Sequence, residues 1–277
     1  MRCRGKIIPA LVLASLLFSQ VVQALTMEPP LPSDCAEAEK TADPQAKVSL
    51  YTRCLDGNDT YGRSLEAYQR DNMHFHRANV LFELRRYAEA LVDYDRFIAN
   101  LPYGGGHVWA YHQRGLTHQA MGQRQLAVTD FNRALEDNSG AVDVRFDRGQ
   151  LFAEMALCQQ AIEDLRMAAT SSPENAVYAN ALAWLLATCP DKKIHNGKDA
   201  VRFALKAVSI DRNAEYLDTL AAAQARKGDF KQAVETQQTA LDLLRKDKVV
   251  QEVTIKEFAT RLSLYTAGKP YTQHRSE

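Results

Sequence analysis

The sequence predicts an all-α fold: a right-handed superhelical solenoid of about five helix hairpins, closed by a C-terminal capping helix. Three observations predict it. Alanines return at Ala90, Ala127, Ala161, Ala200 and Ala233, separated by 37, 34, 39 and 33 residues. A second ladder, Ala78, Gly115, Gly149, Ala183 and Ala221, runs 12 residues ahead of the first in four of five units. A third, Phe97, Ala134, Ala168, Ala207 and Ala240, follows it by 7 residues in all five. Small residues at fixed offsets and a period near 34 mark stacked helix–turn–helix units, each burying its apolar face against the next. Gly115 and Ala127 are expected on facing sides of two antiparallel helices, where a larger side chain would push the axes beyond ~8–10 Å. Residues seven apart, such as Ala127 and Ala134, share one helix face.

Taken in order, residues 1–24 read as a secretory signal. Arg2, Arg4 and Lys6 precede the apolar run Ile7–Val22, and Val22-Gln23-Ala24 gives a small-x-small cleavage pattern. The run is short for a membrane span and contains Pro9. Residues 25–70 are expected to hold a flexible lead, a degenerate first hairpin at 35–57, where Ala46, Tyr51 and Cys54 echo Ala90, Tyr94 and Phe97, and a polar connection. The array proper covers 71–240. Gly104-Gly105-Gly106 after Pro102 accounts for the long first spacing as a loop insertion, and Gly122 and Gly228 mark turns within units. Ala183 and Ala200 are 17 apart, so five extra residues enter the turn 188–197. Residues 241–277 contain a final helix, about 250–267, with Val253, Phe258, Leu262 and Tyr265 on one side and Gly268 and Pro270 as the stop. A terminal unit needs such a cap over its exposed apolar face.

Gly115, Gly122, Ala127, Phe131 and Ala134, together with Ala78, Tyr87, Ala90, Tyr94 and Pro102, resemble the tetratricopeptide repeat family over roughly 60% of the chain. Leu182–Asp191, Asn196-Gly197 and Tyr216–Ala223 look like a bacterial subgroup of such repeats. The resemblance implies a binding scaffold and no reaction. Some relatives hold a C-terminal carboxylate with lysine, asparagine and arginine; here the corresponding faces offer Asn79, but Asp143 and Asp147 where cations are needed.

Composition excludes little. Formal net charge is zero, and about −3 without the leader's Arg2, Arg4 and Lys6, so neither nucleic acid nor an anionic membrane is an expected partner. Beyond the leader stand Cys35, Cys54, Cys158 and Cys189, which permit three pairings. Topology favours Cys35–Cys54 on one short hairpin. Cys158 should begin the second helix of one unit and Cys189 end the first helix of the next, at the same side of the stack, so a bond is possible there too. No CxxC pair, HExxH pattern or GxSxG elbow is present, so neither a metal site nor catalytic residues are assigned. Asp143, Asp147, Glu163 and Asp164 sit at helical surface spacings, where a solvated face is expected.

The groove remains. In a hairpin solenoid the first helices line the concave side. With Gly115 packed inward, Trp109, His112, Leu116 and Gln119 share an adjoining face. The matching faces carry Phe75, Asn79 and Phe82, then Phe146 and Gln150, then Asn180 and Trp184. Such an aromatic stripe with amides either packs between neighbouring helices or anchors a peptide or helix from a partner. The reading is an exported, periplasmic or secreted, non-enzymatic protein–protein interaction scaffold needing no cofactor. A chaperone-like assembly factor for a cell-envelope complex is the alternative.

Overall fold

The computed structural model describes residues 31–57, 65–100, 107–246 and 251–273. The expected leader at 1–24 and the triple glycine at 104–106 lie outside the described residues. Among the described residues, thirteen α-helices and one 3₁₀ turn account for the regular structure, and no strand occurs. The chain divides at Leu84/Arg85 into two units.

The first unit holds α1 (Ser33–Lys40), α2 (Pro44–Leu55) and α3 (Ala67–Glu83). Asp43 caps α2 by accepting from the amides of Gln45 and Ala46, with Pro44 at the first helical position. Cys35 and Cys54 face one another at disulfide distance, with Cα atoms 5.4 Å apart. Tyr51, buried, donates to Glu39 at 2.7 Å, and Arg53 grips Asp34 at 2.8 Å. α3 starts four residues before the expected Asp71, because Glu66 and Gln69 form a reciprocal capping box. Arg70 then donates to the Leu55 carbonyl at 2.7 Å and fixes α3 against the end of α2.

The second unit holds α4 (Tyr87–Ala99), α5 (Val108–Ala120), α6 (Arg124–Asp137), α7 (Val142–Glu154), α8 (Cys158–Ser171), α9 (Ala176–Thr188), the 3₁₀ turn Lys192–Ile194, α10 (Gly197–Ile210), α11 (Ala214–Lys227), α12 (Phe230–Leu244) and α13 (Glu252–Thr266). Hairpins α5–α6, α7–α8, α9–α10 and α11–α12 pack pairwise, and each second helix also packs on the next first helix. The ladders are the seam of this packing: every alanine named in them has zero exposure. The glycines differ in one detail from the expected register. A Cβ at Gly115 would meet Phe131 at 2.7 Å, and one at Gly149 would meet Leu165 at 3.0 Å. The hollow left by each glycine is thus filled by a large side chain one turn beyond the alanine, which allows a close crossing with no void.

Two further features correct the sequence reading. Asp164 is no solvated carboxylate. Arg148 donates to it through Nε at 2.7 Å and Nη2 at 2.8 Å, and Asp164 is 3% exposed. One repeat earlier, Arg114 and Asp130 form the same fork at 2.9 and 2.6 Å. Val253, placed on the apolar side of the cap, is 56% exposed, whereas Phe258 and Tyr265 are buried. The cap's inward side carries Arg261 instead.

The longer turn after α9 is ordered locally. Asp191 accepts from the Lys193 amide, Asn196 accepts from the Asp199 amide at 3.0 Å to cap α10, and His195 Nε2 stands 2.6 Å from the Cys189 carbonyl. Burial lowers the His195 pKa from its ordinary value, with Arg226 and Lys192 adding to the effect. Cys189 and Cys158 lie at disulfide distance, Cα atoms 6.5 Å apart, joining the start of α8 to the end of α9.

Candidate functional site

First helices α5, α7, α9 and α11 and the cap α13 line up side by side, each touching the next. Neighbours are joined by pairs 35 residues apart, one step beyond the repeat period. His112 Nε2 stands 2.6 Å from Asp147 Oδ2, Gln119 donates to Glu154 at 3.2 Å, and Tyr178 donates a short hydrogen bond to Asp143. Burial, reinforced by Asp143, pushes the Tyr178 hydroxyl up to about 12, so it keeps its proton and remains a donor. Asp143 and Asp147 therefore tie helices together.

Toward the C-terminal end this row opens into a cleft of about 450 Å³. Its wall takes Gln150 and Glu154 from α7, Asn180 and Trp184 from α9, Glu215 and Asp218 from α11, and Glu257 and Arg261 from α13. Arg261 Nε donates to Asp218 Oδ1 at 2.7 Å, and Gln237 donates to the same oxygen at 2.6 Å. Both partners of that ion pair are buried, Asp218 at 4% exposure and Arg261 at 7%. Burial raises the Asp218 pKa; Arg261 and Gln237 pull it back toward the ionised form. The guanidinium also stacks over the rings of Trp184, Phe258 and Tyr271, 4.9–5.5 Å from their centroids. Beyond the cap, Gly268 takes a left-handed conformation and turns the chain back. Residues 271–273 then cross the ends of α11 and α9: Arg226 donates to the Tyr271 carbonyl at 2.6 Å, and the Gln273 amide donates to the Thr188 carbonyl at 2.8 Å. Gln273 joins the cleft wall.

Of the ten expected groove residues, three lie in the first unit and seven in the second. Phe75, Asn79 and Phe82 lie on α3 in the first unit, each half-buried. In the second unit the cleft gathers Gln150, Asn180 and Trp184. Trp109 is 62% exposed and lines a separate hollow of about 180 Å³ with Val142 and Asp143. His112 is buried with its ring 5.9 Å from Phe131, Leu116 packs into the core shared by α5, α6 and α7, and Phe146 lies 4.6 Å from Tyr178. Those three join neighbouring helices. Sequence reasoning missed Glu215, Asp218, Glu257, Arg261 and Gln273. Arg261 could have been noticed, since it stands three residues after Phe258 and four before Tyr265, a charge on an otherwise buried helix face. Among the described residues no group of His, Cys, Asp or Glu is arranged to hold a metal, and no helix is long and apolar enough to cross a membrane.

With this geometry in hand, residues 110–136, most of hairpin α5–α6, match the model of the tetratricopeptide repeat family. The chain carries a tetratricopeptide repeat. A comparison with curated proteins returns no match. Among solved structures, MamA 41-end from Desulfovibrio magneticus RS-1 is similar at 18% identity and a TM-score of 0.58, over 67% of this chain and 99% of that one. YrrB, described as a TPR protein with an unusual peptide-binding site, is similar at 17% identity and a TM-score of 0.57, over 71% of this chain and 99% of that one. Both likenesses are of fold, and the fold of this protein is the tetratricopeptide solenoid.

Proposed function

We propose that the protein is a non-catalytic interaction scaffold, exported from the cytoplasm, whose cleft receives a peptide or helix of a partner protein. The observation that carries this reading is the cleft itself: a built concavity on the first-helix face, walled by the half-buried ring of Trp184 and by the amides of Gln150 and Asn180. Apolar anchors among convergent polar groups are the usual makings of such a site. That YrrB is a repeat protein of similar fold described with a peptide-binding site supports it. Export is supported by two cysteine pairs at disulfide distance, which persist in oxidising compartments, and by the basic, apolar and small-x-small pattern of residues 1–24.

The test pairs a thermal melt with partner capture from the native envelope fraction, using Asn180→Ala and Trp109→Ala beside the wild type. Capture lost in Asn180→Ala with the melt preserved supports the cleft. Capture lost only in Trp109→Ala moves binding to the smaller hollow. Full capture by both variants sinks the reading.

A further inference from the structure

Resting on the reading of the cleft as a ligand site, we propose that residues 269–273 form a strap that guards it. The strap is an internal ligand, and the partner segment that displaces it is extended and carries an aromatic side chain. The strap leaves the cap sharply. The Lys269 amide still donates to the Leu264 carbonyl at 2.9 Å, Gly268 takes φ 67°, and Pro270 allows no further helix. Tyr271 then comes to lie against the cleft. Its ring is 5.9 Å from that of Trp184, with the Arg261 guanidinium 5.5 Å from its centroid, and Gln273 stands in the cleft wall. Apart from that ring, the strap is held chiefly through its backbone. Arg226 Nη2 donates to the Tyr271 carbonyl at 2.6 Å and to the Thr272 hydroxyl at 2.8 Å, and the Gln273 amide donates to the Thr188 carbonyl at 2.8 Å. An extended segment of another chain owns the same carbonyls and amides.

The surface that receives the strap is the end of α9, where the carbonyls run out of helical partners. Those of Leu186, Ala187, Thr188 and Cys189 are met from outside, by the Asn196 amide, Arg226 Nε, the Gln273 amide and His195 Nε2. Three of these donors belong to the repeat array itself. The fourth follows a glycine hinge, so it can be exchanged for the N–H of another chain. Thr188 is fully buried, and its carbonyl needs a donor in that place. The strap is therefore replaced rather than simply released, and by an extended segment, since the interior N–H groups of a helix are already spent. A second observation shows what drives the exchange. Asn180 lines the cleft at 8% exposure, and its Oδ1 has no hydrogen-bond partner while the strap is docked. A partner segment that continues along the cleft brings a donor that residues 269–273 do not supply there.

The probe is a fluorescein-labelled peptide of residues 268–277, titrated by anisotropy into the full chain. Wild type is compared with Tyr271→Gly/Gln273→Pro, which takes the ring and the amide donor from the strap, and with Gln273→Pro alone. A short tether holds the strap at an effective concentration on the order of 1 mM, so a strap docked about nine-tenths of the time implies an affinity in trans of about 0.1 mM. The double variant should bind the peptide at about 0.1 mM or tighter, and the wild type at least about ten-fold more weakly. The same peptide carrying Tyr271→Ala should lose about five-fold or more. Equal affinities for the wild type and both variants would overturn the strap as an occupant, as would no binding by variants whose melts are unchanged. Either result leaves the cleft to the Asn180→Ala capture test. Collapsed melts in both variants would also overturn it, making residues 269–273 part of the core. Peptide binding as expected, but capture no higher for Gln273→Pro than for the wild type, would overturn the guarding role while Asn180→Ala still judges the cleft.

Discussion

Gly115 and Gly149 hold places that no other residue can share without movement. The ring of Phe131 and the branch of Leu165 already fill the volume, at 2.7 and 3.0 Å from where a Cβ would stand. Gly149→Leu should therefore destabilise by about 1–3 kcal/mol or more, the range for overpacking. A thermal melt unchanged within error would mean that α7 and α8 do not cross at this point. The tryptophans separate in the opposite way. Trp109 is 62% exposed, so Trp109→Ala should change stability by less than about 1 kcal/mol. Trp184 is half-buried beneath Arg261 and 5.9 Å from Tyr271, so Trp184→Ala should lose about 2–3 kcal/mol, short of the ~3–5 of a fully buried ring. Denaturant titration of both variants checks the order. Equal losses would show that exposure does not separate them.

At the scale of one hairpin, the short turns within α5–α6, α7–α8 and α11–α12 each contain a left-handed residue. Gly122 and Gly228 supply it without a Cβ, but Ala156 occupies the same place at φ 57°. The left-handed region costs a non-glycine residue roughly 1–2 kcal/mol, and the extra freedom of glycine in the unfolded chain returns roughly 0.5–1. Ala156→Gly should then raise stability by about 0.5–1 kcal/mol, seen as a higher melting temperature, and a lower one would refute the turn geometry. The hairpins were legible in the sequence because burial of an alanine at a crossing demands the same small residue every repeat. The fork of Arg148 on Asp164 was present in the same period, repeating Arg114 and Asp130 at a separation of 16, yet a carboxylate at helical spacing carries no mark of burial. Only packing reveals which side of the helix it faces. Gly197 is a similar case. A Cβ there would stand 2.7 Å from the backbone of Lys227, so only glycine admits this close contact across hairpins, which no local pattern announces.

Over the whole molecule, contacts distant in sequence decide what the cleft is made of. The cysteine pairs, separated by 19 and 31 residues, each close a loop for which the entropy model gives about 3–4 kcal/mol. Non-reducing peptide mapping should return Cys35–Cys54 and Cys158–Cys189, and any crossed pair would defeat the assignment. The cleft was legible only on its α7 and α9 walls, through Gln150, Asn180 and Trp184, since those helices repeat. Its far wall comes from the cap, and Arg261 meets Asp218 across 43 residues with no periodicity to connect them.

That pair makes the cap both lid of the core and wall of the site. Removing one partner strands the other: Arg261→Met should cost about 3–5 kcal/mol, because Asp218 would remain buried without its cation. The pH dependence fixes the cause. Burial already raises the Asp218 pKa, and loss of Arg261 removes the first force that opposes it. A carboxyl whose folded pKa lies above its unfolded value contributes stability at low pH that is lost as pH rises through the folded pKa, since the unfolded chain gives up its proton first. The melting temperature of Arg261→Met should therefore fall more steeply than that of the wild type as pH rises above the ordinary carboxylate range. The double variant Arg261→Met/Asp218→Leu, which leaves no charge buried, should recover much of the loss and lack the slope. Parallel pH profiles for Arg261→Met and the wild type would mean that Asp218 finds water or another donor when the cap arginine is gone, and that the cap is held on chiefly by Phe258 and Tyr265.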